Sequence, residues 1–441
     1  MVARYFAVKM STGCTCGPHP CVDLTEAYLQ YHHKIHHQHD ASSNSKQFIS
    51  CREKIRQACR THGCFHVSIK LTNNSENDYP IACLAKPLAQ VEDEIESLFS
   101  PSFLKHTDAN FNGGIFEVPM KELSSSATSM LVEAATFRGR TAESGDESQA
   151  NPEPKLSWEF RRCLNARIQE AKNPVSSQTQ NEWTHLSNWT EALHSVASVV
   201  IHSLGISQQI VLNEKRCDCL DKICSNQNCN NLSQENCNVD LLRCFRYDAL
   251  PFEQKDRLGS SSHSDWGALT AVFQDDKGGL QTYCHACEKW TDVATPERKM
   301  TGNTANLFIH VGDFLSLTSH KEGKHPPIWP SPRHRVVCPT KKLDQSEESS
   351  QCRRSLVYFA YPPPNNSLAA AQGVVEPLIS DFYNSSIKFQ DYSLLHDQSQ
   401  QQQGADQLND RNRTCYEKYL DIRGKPFGKV IQEKWNQVQR S

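Results

Sequence analysis

Residues 263–270 read His263-Ser264-Asp265-Trp266-Gly267-Ala268-Leu269-Thr270 and head an apolar run. They place an imidazole and a carboxylate two residues apart, and in an extended strand side chains at that spacing point to the same face. With a second imidazole from elsewhere in the fold, His263 and Asp265 would complete a 2-His-1-carboxylate triad. Such a triad holds one face of an iron(II) ion and leaves other positions open. Open positions predict chemistry at the metal, with O2 as the expected oxidant.

The second imidazole has to come from further along the chain, and His334 is the favoured candidate. It lies in Pro332-Arg333-His334-Arg335-Val336-Val337, where a histidine enters a strand-like apolar run. His310, His320 and His325 lie nearby and stay open as alternatives. His334 is preferred because it alone is followed by Arg-Val-Val at the entry to a strand.

A cation and a hydroxyl stand at the start of a third apolar run, Arg353-Arg354-Ser355-Leu356-Val357-Tyr358-Phe359. Arg353 and Ser355 are two residues apart and therefore share a face of the predicted strand. Arg354 points to the opposite face, towards solvent or the helices outside. A guanidinium suits the binding of a carboxylate, because its planar fork can donate two parallel hydrogen bonds.

Taken in order, these segments resemble the isopenicillin N synthase-like family of iron(II)/2-oxoglutarate-dependent dioxygenases. That family carries a His-x-Asp-x-Gly-x-Leu-Thr segment, then Gly-Leu-Gln, a distal His-Arg-Val and an Arg-x-Ser. The chain has all four, the second being Gly279-Leu280-Gln281. The resemblance covers roughly Val22 to Pro364 and is interrupted by polar insertions, which surface loops tolerate.

The resemblance implies a fold, a reaction and a set of site residues. His263, Asp265 and His334 would hold Fe(2+), while Arg353, Ser355 and Tyr247 would hold the distal carboxylate of 2-oxoglutarate. No catalytic residue beyond the iron ligands is implied. The reaction would oxidise, and most simply hydroxylate, a small organic metabolite with O2, releasing succinate and CO2. Two alternatives stay open: an iron(II) oxidase that works without 2-oxoglutarate, and a non-catalytic metal-binding jelly roll, since fold alone does not imply turnover.

The expected fold is mainly β with flanking helices (α+β): a double-stranded β-helix, or jelly roll, behind an N-terminal α/β module. Apolar residues recur at helical spacing from Phe48 to Ala58 and alternate from Phe65 to Ile69, which predicts a helix and then a strand. A second helix, expected to pack outside the barrel, should end before Gly205. The predicted organisation is an N-terminal dioxygenase module at 18–135, linking helices with a Cys/Asn-rich insertion at 136–240, the catalytic jelly roll at 241–365 and a helical, low-complexity extension at 366–441.

Length and composition agree with a soluble enzyme. In 441 residues, 47 Lys and Arg stand against 50 Asp and Glu, so no charge excess suggests nucleic acid or an anionic membrane as partner. No apolar run is long enough to span a bilayer, and Met1 to Gly13 lacks the features of a signal peptide. We therefore expect a cytoplasmic monomer.

Cysteine is abundant, with 19 residues, and six of them crowd between Cys217 and Cys244. Their spacing does not form two paired zinc knuckles. The segment from Asn213 to Asn238 is therefore interpreted as a loop of reduced cysteines outside the barrel, with a zinc site as the alternative.

Overall fold

The computed structural model describes residues 19–37, 46–72, 80–99, 136–137, 153–161, 177–206, 240–284, 287–295, 303–319, 327–340, 352–373, 375, 422–431 and 433. Its helices include α1 (Thr25–His37), α2 (Lys46–Thr61), α3 (Leu88–Ser97), α4 (Ser177–Leu204) and α5 (Asp313–Thr318). Its strands are β1 (Cys21–Asp23), β2 (Cys64–Lys70), β3 (Thr136–Phe137), β4 (Glu153–Pro154), β5 (Leu156–Arg161), β6 (Leu241–Tyr247), β7 (Leu258–His263), β8 (Leu269–Gln274), β9 (Leu280–Cys284), β10 (Lys289–Asp292), β11 (Thr304–Val311), β12 (His334–Val337) and β13 (Arg353–Ala360).

Two sheets form the body of the molecule. The major sheet has the strand order β1-β2-β11-β8-β13-β6-β5, and the minor sheet has the order β10-β9-β12-β7. Apolar side chains from both sheets meet in one inner cluster, which includes Val272 and Phe308 from the major sheet and Leu280 and Val336 from the minor sheet. This is the layout of a jelly roll, so the predicted fold class is confirmed.

The major sheet is buried on both faces, and β8 shows why its sequence is almost continuously apolar. Val272 belongs to the inner cluster between the sheets, whereas Leu269, Ala271 and Phe273 belong to the larger core against the helices. Every residue of β8 is buried. A strand covered on both sides has little reason to carry polar residues, so its two polar side chains, Thr270 and Gln274, mark places where the interior is not purely apolar.

The helices cover the outer face of the major sheet, as the periodicity predicts. Helix α2 and strand β2 occupy the segment where the spacing of apolar residues changes from helical periodicity to the alternation of a strand. Helix α4 packs against β6, β8 and β13 and ends at Leu204. Gly205 follows with φ +81°, a left-handed conformation in which glycine commonly ends helices. The expected outer helix is therefore present.

Strands β1 and β2 of the N-terminal segment extend the major sheet through the antiparallel pairing of β2 with β11. The domain boundaries predicted above stay a prediction. The Cys/Asn-rich segment from Asn213 to Asn238 lies outside the described residues. Among the described helices, none has the combination of length and apolar character that crossing a membrane requires.

Candidate active site

His263, Asp265 and His334 come together at one end of the space between the sheets. β7 ends at His263 and β12 begins at His334, and antiparallel pairing sets these two residues opposite each other. Asp265 follows in the turn into β8. Its Oδ1 lies 3.6 Å from His263 Nε2 and 3.7 Å from His334 Nε2. The three side chains can present ligand atoms that all lie within 4.8 Å of one another.

Backbone carbonyls set the orientation of both imidazoles. His263 Nδ1 lies 2.7 Å from the carbonyl oxygen of Ser261, and His334 Nδ1 lies 3.2 Å from that of Pro332. A carbonyl can only accept, so each Nδ1 carries the proton and each Nε2 keeps its lone pair. Metal-binding histidines are commonly oriented in this way. The two lone pairs therefore face Asp265 Oδ1, as a metal site needs.

Asp265 is buried and is held in its ionised form. Its Oδ2 accepts a hydrogen bond of 2.5 Å from the hydroxyl of Thr270. Burial by itself raises the pKa of Asp265, but the imidazoles of His334, His310 and His263 and the Thr270 hydroxyl outweigh burial and lower that pKa. Burial, followed by the neighbouring His263, lowers the pKa of His334 well below its usual range. The site thus combines the ionised carboxylate of Asp265 with the neutral imidazole of His334.

Close backbone packing explains the glycine in the His-x-Asp-x-Gly segment. A Cβ on Gly267 would lie 2.7 Å from the carbonyl oxygen of Ala360, and one on Gly312 would clash with the carbonyl oxygen of Gly267. The start of α5 holds the same turn, because the Asp313 amide donates to the Asp265 carbonyl at 2.6 Å. The turn that carries Asp265 is therefore fixed from behind by backbone contacts.

His310 is the one sequence alternative for the third ligand that the described residues include. It lies in β11, is 2% exposed, and its Nε2 is 3.6 Å from Asp265 Oδ2. Unlike the rings of His263 and His334, its Nδ1 has no hydrogen-bond partner among the described residues. His320 and His325 lie outside the described residues.

At the other end of the core, Arg353 is a buried cation whose hydrogen bonds go to neutral oxygens, and it interacts at longer range with the buried carboxyl of Asp275. Its Nε donates to the carbonyl oxygen of Gly278 at 2.7 Å, and its two terminal nitrogens donate to Ser355 Oγ at 3.2 Å and Gln274 Oε1 at 3.4 Å. The guanidinium carbon lies 4.9 Å from the centre of the Tyr247 ring. Within the described parts of the chain, Arg353 has no carboxylate oxygen within 4.0 Å.

Gln274 was not among the residues that the sequence singled out. Antiparallel register places it opposite Ser355, and its amide nitrogen is tied to the carbonyl of Ala294 at 3.1 Å. It therefore holds its oxygen towards Arg353. A polar residue two positions after Val272, within an otherwise apolar strand, was the available signal.

Arg354 points the other way. Its Nε donates to Glu96 Oε2 at 2.7 Å, on helix α3 outside the major sheet. The opposite orientation of the two arginines agrees with the alternation expected of a strand.

The central part of the chain is similar to known proteins. Residues 238–362 match the family model described as the 2OG-Fe(II) oxygenase superfamily. A 2-oxoglutarate-dependent dioxygenase, gloF, of Glarea lozoyensis is 30% identical over 135 residues, 30% of this chain and 38% of that protein. Another, htyE of Aspergillus rugulosus, is 29% identical over 126 residues, 28% of this chain and 35% of that protein. The chain therefore matches well under half the length of these curated relatives.

Among solved structures, the dioxygenase for auxin oxidation in rice aligns at a TM-score of 0.44 with 16% identity, over 83% of this chain and 93% of the other. Dioxygenase for auxin oxidation 1 of Arabidopsis thaliana, in complex with 2-oxoglutarate, aligns at a TM-score of 0.42 with 15% identity. That alignment covers 78% of this chain and 92% of the other.

Proposed function

We propose that the protein is an iron(II)- and 2-oxoglutarate-dependent dioxygenase acting on a small organic molecule, and the match of residues 238–362 to the 2OG-Fe(II) oxygenase superfamily supports this proposal. One observation carries the proposal. A buried carboxylate faced by two imidazole lone pairs lies in the same two-sheet core as a buried guanidinium whose hydrogen bonds within the described residues go only to neutral oxygens. The first suits a metal, and the second suits an anionic co-substrate.

His263, Asp265 and His334 are the proposed ligands of iron(II). Two neutral nitrogen donors and one carboxylate oxygen are the donor set preferred by non-haem iron oxygenases. The carbonyls of Ser261 and Pro332 would keep both rings in the tautomer that donates through Nε2. When bound, iron would supply the oxygen chemistry that couples conversion of 2-oxoglutarate to succinate and CO2 with oxidation of the substrate.

Arg353 is the proposed partner of the distal carboxylate of 2-oxoglutarate. Its two terminal nitrogens now donate to a hydroxyl and an amide oxygen, and a carboxylate would be a stronger acceptor for both. Ser355 accepts a hydrogen bond from Arg353, so the proton of its own hydroxyl is free to be donated to the same carboxylate. Tyr247 supports the guanidinium with its ring, and its role as a further donor stays a prediction.

The deciding experiment measures iron binding and co-substrate turnover in the same preparation. Metal-free protein titrated anaerobically with iron(II) should bind one ion per chain, and Asp265→Ala or His334→Ala should abolish that binding. A screen of small metabolites with 2-oxoglutarate and O2 should then find a substrate that stimulates succinate release. Substrate oxidation at full rate without 2-oxoglutarate would replace this reaction by that of an iron oxidase. Unaltered binding and activity in His334→Ala would reject the choice of third ligand.

The small-molecule substrate, the cytoplasmic location and the monomeric state stay predictions. Size-exclusion chromatography with light scattering would test the last of these.

A further inference from the structure

We propose that His310 is a positioning residue that holds Oδ2 of Asp265, so that this carboxylate offers only its Oδ1 to the metal. The inference rests on the proposed function, because it concerns the ligand that the iron would use.

The two oxygens of Asp265 face different sheets. Oδ1 faces the imidazoles of His263 and His334, which come from β7 and β12 of the minor sheet. Oδ2 faces Thr270 and His310, which come from β8 and β11 of the major sheet and are opposite each other in the register. The carboxylate is therefore bracketed, with one oxygen towards each sheet.

The tautomer of His310 differs from that of the proposed ligands. Its Nδ1 is buried and has no partner among the described residues, whereas the corresponding atoms of His263 and His334 each donate to a carbonyl. A proton on Nδ1 would leave a buried donor unsatisfied and turn the Nε2 lone pair towards a carboxylate, and both are unfavourable. The proton therefore belongs on Nε2, where its dipole points at Asp265 Oδ2.

This arrangement turns the Nε2–H of His310, and not a lone pair, towards Asp265, so His310 is not a fourth ligand. At 3.6 Å the contact is electrostatic and slightly longer than a hydrogen bond, while the Thr270 hydroxyl makes the short bond to the same oxygen. A carboxylate free to turn could bind a metal through both oxygens and occupy one more coordination position. With Oδ2 held towards the major sheet, that position would stay open for the reactants.

The test compares two replacements at His310 with a matched loss of an imidazole elsewhere. His310→Leu removes the donor, whereas His310→Gln keeps an N–H near the position of Nε2. His66→Leu is the control, because His66 lies on the neighbouring strand β2, opposite Phe308 in the register, with its ring 5.1 Å from that of Phe308. The full chain, freed of metal, is titrated anaerobically with iron(II), and the cobalt(II) form is examined by absorption spectroscopy.

We expect His310→Leu to weaken iron(II) binding about 10- to 100-fold, the usual effect of losing a group that orients a metal ligand, and to alter the cobalt(II) spectrum. The iron(II) affinity of His310→Gln should stay within about threefold of that of the unmodified chain on the same grounds. The affinity of His66→Leu should equal that of the unmodified chain. Unchanged affinity and spectrum in His310→Leu, or an equal loss in His310→Gln, would overturn the inference.

The outcomes also separate this inference from the proposed function. If the unmodified chain binds no iron(II), the proposed function fails. If it binds iron(II) and His310→Leu does so equally well, only the role of His310 fails. Loss of binding in His310→Leu combined with full binding in His334→Ala would make His310 a ligand and reject both. Should His310→Leu not fold, His310→Gln must still bind more tightly than His310→Asn, whose amide cannot reach the position of Nε2, and equal affinities would reject the inference.

Discussion

Arg353 and Arg354 are neighbours in β13 and both are buried, yet their side chains have different partners on the two faces of the major sheet. On the outer face, Arg354 forms an ion pair with Glu96 of helix α3, which also pairs with Arg246. On the inner face, the described residues that accept hydrogen bonds from Arg353 are all neutral, namely Gly278, Ser355 and Gln274, and the carboxyl of Asp275 interacts with it only at longer range. A buried charge is costly unless it is paired. The outer arginine thus forms a structural ion pair, whereas the inner one has no ion pair with a described carboxylate and suits an added anion.

The same contrast holds along the rest of the sheet. On the outer face, the Tyr358 hydroxyl donates to Asp240 Oδ2 at 2.8 Å and lies 2.9 Å from His194 Nδ1, a closed network beneath helix α4. On the inner face, polar groups surround Asp265 and Arg353. The carboxylate of Asp265 and the guanidinium of Arg353 both face the space between the sheets. The outer polar groups, which hydrogen-bond to one another, stabilise the fold, whereas Asp265 and Arg353 are placed to bind a ligand.

Arg353→Lys gives the largest effect expected from this comparison. It should raise the apparent 2-oxoglutarate requirement about 100-fold, since hydrogen bonds to charged groups contribute roughly 1.5–3 kcal/mol each and lysine cannot reproduce the two-nitrogen fork. The measurement is succinate release as a function of 2-oxoglutarate concentration, with iron(II) affinity as the control that should not move. A co-substrate requirement unchanged by the substitution would contradict the assignment of Arg353.

Acid pH should weaken the inner side of the molecule through His19, whose Nε2 lies 2.7 Å from Thr282 Oγ1 of the minor sheet. Burial, with a smaller contribution from His62, lowers the pKa of His19 from 6.5 to about 4. His19 therefore binds a proton below pH 6.5 in the unfolded chain, but only below about pH 4 in the folded chain. The free energy of unfolding should fall across this window, by on the order of 2 kcal/mol.

Denaturant titrations at pH 7 and pH 4.5 measure that loss, and His19→Gln should reduce it. An equal loss of stability in the variant would assign the pH dependence to other groups.

Tyr358→Phe should destabilise the outer network without touching the site. Removal of the hydroxyl leaves Asp240 Oδ2 without that hydrogen bond in a buried position, which typically costs about 1–2 kcal/mol. Thermal or denaturant unfolding would detect the change, and 2-oxoglutarate and iron(II) affinities should stay as they are. Lower co-substrate affinity in folded Tyr358→Phe would mean that the two faces are coupled.

Arg354→Lys gives the smallest expected effect and is the matched control for Arg353→Lys. Glu96 is partly exposed, and ion pairs of that kind contribute about 0–1 kcal/mol. Lysine can keep much of the attraction, so stability should fall by less than about 1 kcal/mol and the 2-oxoglutarate requirement should be unchanged. If the two substitutions raised that requirement equally, the contrast between the faces would be refuted.

Much of the site was predictable from local pattern. Alternation along a strand has a period of two residues, so the sequence alone separates Arg353 and Ser355 from Arg354. Gly267 in the turn, and the polar residues Thr270 and Gln274 within an apolar run, are also visible in the sequence alone. The rest of the site depends on register between strands that are far apart in the chain, which no local pattern contains.

From the sequence, the family resemblance carried by the ordered motifs implied the jelly-roll class, and the periodicity of the segments predicted the helices outside it. Only the tertiary structure decided which partners the site residues meet. Pairing of β12 with β7 sets His334 opposite His263, and pairing of β11 with β8 brings His310 beside Thr270 and Asp265. In the structure the two histidines differ because the ring of His334 has a carbonyl to accept its Nδ1 proton, whereas the described residues offer the ring of His310 none.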